Sequence, residues 1–164
     1  MSPVLEGDLD GRGLSLAIVV SRFNQALTEK LLAGAREALK KCDVDSDSVD
    51  VVWVPGSFEL PLAAKHLAES GRYGAIVCLG CVLRGETPHF DYVAGQAAAG
   101  IQRVGLDTGV PVAFGVITAD TLSQAVERAG GSAGNKGFDG VVTAVRMANL
   151  VKKIDARAEK EEGK

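Results

Sequence analysis

The segment Gly80–His89, GCVLRGETPH, carries more chemistry than a turn between two elements needs. Thr87-Pro88 reads as a helix N-cap followed by the first helical position, where proline is favoured. A helix start offers unpaired N–H groups and a partial positive charge, so Gly85, Glu86 and Thr87 can cradle a phosphate or similar anion. The same residues would serve equally well as a capped helix with nothing bound. His89 falls in the first turn, where the helix dipole disfavours an imidazolium and leaves a neutral ring to accept or relay a proton near pH 7. Beside an anion site, that placement favours a catalytic histidine over one merely hydrogen-bonded to the backbone. His66, mid-helix on the side opposite Leu60 and Leu67, is expected to be solvated.

Other unusual residues follow other apolar runs. Phe23, in Ser21-Arg22-Phe23-Asn24, is either a stacking platform for a planar ring or a loop side chain folded back onto the core. Glu59, in Pro55-Gly56-Ser57-Phe58-Glu59, either binds substrate hydroxyls or complements a helix N-terminus. Arg128 and Lys136 read as surface charges or as phosphate ligands. Gly134-Asn135-Lys136-Gly137 lacks the Gly-Lys-Ser/Thr ending of a Walker loop, and no GxGxxG fingerprint follows the first apolar run. Cys78-Leu79-Gly80-Cys81 has the spacing of a zinc or redox pair, but a four-thiolate site needs a second pair and only Cys42 remains. Strand alternation would also send the two thiols to opposite faces. Three reduced cysteines, with no metal or redox role, are the expectation.

Something must hold these loops together. Four apolar runs recur, each followed by a helical pattern: Leu14–Val20 before Gln25–Lys41, Val49–Val54 before a helix starting near Phe58–Leu60, Ala75–Leu79 before Pro88–Leu106, and Pro111–Ile117 before Leu122–Ala129. A last helix is expected from Phe138 to Ile154. In the first helix Leu27, Leu31, Ala35, Ala38 and Leu39 mark one face; in the second Leu60, Ala63, Ala64 and Leu67 do so. Strands apolar throughout and separated by helices imply a parallel sheet covered on both sides. The expected fold is α/β, a three-layer αβα sandwich with a flavodoxin-like, four-stranded parallel sheet. Ligands in such sheets bind beyond the carboxyl ends of the strands, where all the residues above fall. Residues 1–13 read as an N-terminal arm, with edge-strand pairing one possible use for it. Residues 14–154 read as one α/β domain, and 155–164 as a charged tail fraying into solvent from about Lys152.

Composition sets the outer limits. With 164 residues, 46% hydrophobic and 24% charged, the chain suits a single globular domain. Its net charge of −3 and 18 dispersed basic residues argue against a nucleic-acid partner. No apolar run is long enough to span a membrane, and Met1–Asp10 lacks a signal-peptide pattern, so a cytoplasmic location is expected.

Five segments in order resemble the lumazine synthase family: SRFN at 21–24, PGSFELP at 55–61, GCVLRGETPHFDYV at 80–93, GVITADTLSQAVERAG at 115–130 and GNKGFDG at 134–140. The resemblance runs from Leu14 to Val151. It implies condensation of 5-amino-6-(D-ribitylamino)uracil with 3,4-dihydroxy-2-butanone 4-phosphate to give 6,7-dimethyl-8-ribityllumazine, phosphate and water, the penultimate step of riboflavin biosynthesis, without cofactor or metal. By resemblance Phe23 stacks on the pyrimidine, and Ser57, Phe58 and Glu59 hold the ring and ribityl chain. Cys81, Val82 and Leu83 line the pocket through backbone, Glu86 and Thr87 bind the butanone phosphate, and His89 transfers protons. Phe114 and Arg128 come from a neighbouring subunit, with Lys136 assisting electrostatically. The resemblance also implies a homo-oligomer built from pentamers, and the short Gly130–Gly137 loop leans towards a sixty-subunit shell. Three rivals are an archaeal-type riboflavin synthase, a flavodoxin-like flavin-binding module and a purely structural shell protein. The set Phe23, His89 and Arg128 argues against the first, the bulk of Ser21–Asn24 against the second, and the histidine loop against the third.

Overall fold

A run such as Leu-Ala-Ile-Val-Val-Ser has no polar face to offer water, and in the computed structural model, which describes residues 2–163, it forms strand β1 (Leu16–Ser21), buried at every position. Helix α1 (Gln25–Lys41) leads to β2 (Val49–Val54), then α2 (Leu60–Glu69), β3 (Ala75–Leu83) and α3 (His89–Thr108). β4 (Val112–Ala119) is followed by α4 (Leu122–Arg128), the short strands β5 (Ala129–Gly131) and β6 (Gly134–Asn135), and α5 (Lys136–Glu162). The four long strands pair in parallel in the order β2-β1-β3-β4. The sheet is flanked by helices on both faces, as expected of a flavodoxin-like αβα sandwich.

Alternate residues of each strand feed different layers. Leu16, Ile18, Val20, Val77 and Leu79 pack with Leu31 and Ala35 of α1 and with Val141 and Val145 of α5. Ala17, Val19, Ile76 and Cys78 pack with Leu60 and Ala64 of α2 and with Ile101 and Val104 of α3. The helical faces expected from periodicity are the ones turned inward, and His66 is exposed.

Four expectations need correction. β3 does not stop at Leu79; it continues to Leu83, paired with β4 as far as Leu83↔Ala119. Gly80 looks like a turn signal but is a packing residue, since a Cβ there would lie 2.5 Å from Ser57 Oγ. The Gly-rich segment after α4 is a two-stranded antiparallel ribbon, β5 with β6, rather than a loop. The segment expected to fray is helix as far as Glu162, because Lys, Glu, Ala and Arg propagate helix well and Arg157 pairs with Glu161 one turn on. Finally, the arm, from Ser2 onward, joins no strand. It runs along α5, where Asn149 Nδ2 donates to Asp8 O and Asp10 O at 3.1 and 2.9 Å and Lys153 Nζ reaches Asp8 Oδ2 at 2.9 Å. The outermost arm and tail residues, 1 and 164, lie outside the described residues.

Candidate functional site

The exits of β1, β2 and β3 converge on one cavity of about 600 Å³. The first exit is held by main-chain bonds across the sheet: Arg22 N–H donates to Val54 O at 2.8 Å and Phe23 N–H to Pro55 O at 3.1 Å. Asn24 takes the left-handed conformation (φ 58°), which asparagine tolerates better than most residues. Its side chain does not cap α1; Nδ2 instead donates to Cys81 O at 2.9 Å and ties the first exit to the third strand. With its backbone pinned in this way, Phe23 remains 70% exposed and lines the cavity. The folded-back alternative for this side chain is therefore not what the chain adopts.

The second exit makes a single 3₁₀ turn, Ser57–Glu59, before α2. Ser57 is buried against Gly80, while Phe58 and Glu59 are exposed, and all three line the cavity. Cys81, Val82 and Leu83 supply its floor. Cys81 packs its side chain with the α1/α5 layer and Val82 with the α2/α3 layer. Cys78 belongs to the α2/α3 layer, so the two thiols of the Cys-x-x-Cys segment face opposite sides of the sheet and cannot share a ligand. Burial pushes Cys81 up to about 11 and Cys78 up to about 12, leaving both as neutral thiols.

The third exit differs from expectation by one residue. Pro88, not Thr87, is the N-cap of α3, and His89 is its first helical residue. Thr87 Oγ1 lies 3.5 Å from His89 N, too long for a firm cap. The cap is therefore weak: no N-cap side chain bonds the first turn, where Asp91 N–H donates to Pro88 O at 3.0 Å. Gly85, Thr87 and His89 line the cavity, and Glu86 lies between two lining residues without lining it. His89 is exposed, and its ring nitrogens have no hydrogen-bond partner among the described residues. Phe90, Tyr92 and Val93 of α3 complete the wall. Sequence reasoning missed these three and Asn24; the helical spacing of His89, Tyr92 and Val93 was the available signal for the wall.

Besides Glu86, three expected site residues do not line this cavity. Phe114, on edge strand β4, is 45% exposed on the surface. Arg128 Nη1 donates to Gln124 O at 3.0 Å within its own helix, and Lys136 pairs with Asp139 at 3.4 Å. No described helix is long and apolar enough to cross a membrane.

The cavity thus combines exposed aromatic faces, a carboxylate, a weakly capped helix start and a histidine whose ring has no hydrogen-bond partner among the described residues. A family model described as 6,7-dimethyl-8-ribityllumazine synthase matches residues 13–152, which takes in all three exits.

Proposed function

The chain belongs to the 6,7-dimethyl-8-ribityllumazine synthase family, a transferase family of riboflavin biosynthesis, and we propose that it joins 5-amino-6-(D-ribitylamino)uracil to 3,4-dihydroxy-2-butanone 4-phosphate within the cavity of residues 14–154. The single observation that carries this reading is the exposed Phe23 ring in the same cavity as the start of α3. One feature suits a planar pyrimidine and the other a phosphate.

In this reading the pyrimidine stacks on Phe23, while Ser57, Phe58 and Glu59 hold its edge and the ribityl hydroxyls. Cys81, Val82 and Leu83 offer main chain; the Cys81 carbonyl keeps a second lone pair beside its bond to Asn24. The phosphate sits on the main-chain N–H groups of Gly85, Glu86 and Thr87 and on the Thr87 hydroxyl. A Cβ at Gly85 would meet nothing within 4 Å, so the fold has no steric need of glycine there, whereas a ligand approaching the backbone has one.

The amine of the uracil attacks the ketone and water leaves to form an imine. Phosphate elimination follows, then ring closure with further loss of water. His89 relays protons in these steps from the first turn of α3, and most of the acceleration comes from holding two reactants in register. Phe114 and Arg128 serve the cavity of an adjoining copy in a pentamer-based assembly, the arginine clamping the phosphate with its planar fork, with Lys136 assisting electrostatically. Their absence from this chain's own cavity and the exposure of Phe114 support that assignment.

The test is to mix the purified chain with both reactants and follow lumazine absorbance and released phosphate against the uncatalysed background. Equal amounts of lumazine and phosphate, formed well above background, are expected. A folded sample that gives no acceleration would remove the condensation reading.

A further inference from the structure

Arg84 sits in the β3–α3 loop and has no part in the reading above, yet its side chain is held on three sides. Its Nε donates to Asp120 Oδ1 at 2.7 Å, and its Nη1 to Asp91 Oδ1 at 3.4 Å. Its guanidinium carbon lies 4.4 Å from the centre of the Phe90 ring, a stacked cation–π arrangement. Its main-chain N–H donates to Ala119 O at 2.9 Å, fixing the residue to the end of β4.

The anchor is itself held. Asp120 N–H donates to Gln124 Oε1 at 2.9 Å, within the capping box that starts α4 from Thr121. The other two partners, Asp91 and Phe90, lie in the first turn of α3 directly after His89, and Phe90 lines the cavity. Arg84, Asp91 and Asp120 have side chains 45%, 60% and 65% exposed, and ion pairs so exposed add little to global stability. What three partners on one planar group do supply is geometry, because the fork and the ring face fix the guanidinium in both position and tilt.

We propose that Arg84 is a positioning residue, which clamps the first turn of α3 to the exit of β4 and so holds His89 and Phe90 against the cavity. A lysine could not replace it fully, since a point charge cannot reach two carboxylates in a fixed fork and cover the ring as well. The kinetic part of this assignment rests on the condensation proposed above; the structural part does not.

The experiment compares the whole chain with Arg84→Met and Arg84→Lys, by steady-state kinetics and by hydrogen exchange read over residues 85–92. Arg84→Met should lower kcat by about tenfold through misplacement of His89. KM for the ribitylaminouracil should stay within about twofold, because that reactant is held by Phe23 and Ser57–Glu59 on other loops. Exchange over 85–92 should accelerate while the rest of the chain and Tm hold steady. Arg84→Lys should recover only part of both losses. Unchanged exchange and kcat in Arg84→Met would overturn the clamp, as would loosening spread over the whole chain or full rescue by lysine. If the wild-type chain itself does not condense the two reactants, the functional reading fails, and the exchange comparison still decides whether Arg84 holds the loop.

Discussion

On one side of the sheet, α1 and α5 close over Ile18, Leu31, Leu79 and Val141, none of them exposed to solvent. The arm then lies along the outside of α5, close enough that a Cβ on Gly7 would fall 1.8 Å from Arg146 O. On the other side, α2 and α3 cover the middle of the sheet but leave its carboxyl end open, with Phe23 and Phe58 still 70% and 58% exposed. The closed face commits its residues to packing. The open face carries aromatic, acidic and basic side chains that contribute little to the core, a composition suited to binding a ligand.

Substitutions should therefore separate cleanly by face. The largest effect is expected at Gly137, in the first turn of α5, where a Cβ would lie 1.9 Å from Leu31 O of α1. Gly137→Ala should force the two helices apart and cost about 3 kcal/mol, seen as a fall in Tm of roughly 10 °C by calorimetry. A variant of wild-type Tm would mean that the closed face is not closed. His89→Ala should do the opposite. Turnover should fall by roughly 10²-fold or less, with Tm almost unmoved because the side chain is exposed. If wild-type rate persisted across the pH range, the proton-relay role would be lost.

Smaller effects sharpen the contrast. With Cys78 raised to about 12 and Cys81 to about 11 by burial, the thiolate is scarce at pH 8. A thiol reagent should therefore label the native chain slowly at both, and Cys81 first, because it borders the cavity. Mass spectrometry of the labelled peptides checks this, and faster labelling at Cys78 would contradict the layering described. The smallest effect concerns the arm. Asp8 is held below its ordinary 3.8, chiefly by the hydrogen bond from Lys153. A lowered folded value means that the contact stabilises docking above the ordinary range and is lost as pH falls through the lowered one. Protection of residues 6–12, taken relative to the intrinsic exchange rate at each pH, should therefore fall below pH 4 while β1 and β3 remain protected. Protection unchanged down to pH 2 would show that Asp8 does not secure the arm.

The elements behind this division, though not the division itself, were legible in the sequence, for a physical reason. β1 and α1 were readable because a central strand and its covering helix obey one constraint each, continuous burial and a 3.6-residue stripe. β3 was read short because Gly80 signals a turn locally, whereas its purpose is the space it leaves for Ser57, a contact 23 residues away. The tail was misread because charge suggested solvent, but charge and helix are compatible when the residues are Lys, Glu, Arg and Ala. In the site, His89, Glu59 and Phe23 stood out as residue types that a turn does not need, and Thr87 as a sign of a helix start. Asn24, Tyr92 and the clamp on Arg84 did not, since their roles depend on partners that only the folded sheet brings near.

The most direct test of the open face is a crystal structure with the ribitylaminouracil and inorganic phosphate added together. The account predicts the pyrimidine stacked on Phe23 within the cavity, and phosphate at the main chain of residues 85–87. The ring bound against any other surface, or a cavity left empty at saturating ligand, would contradict it.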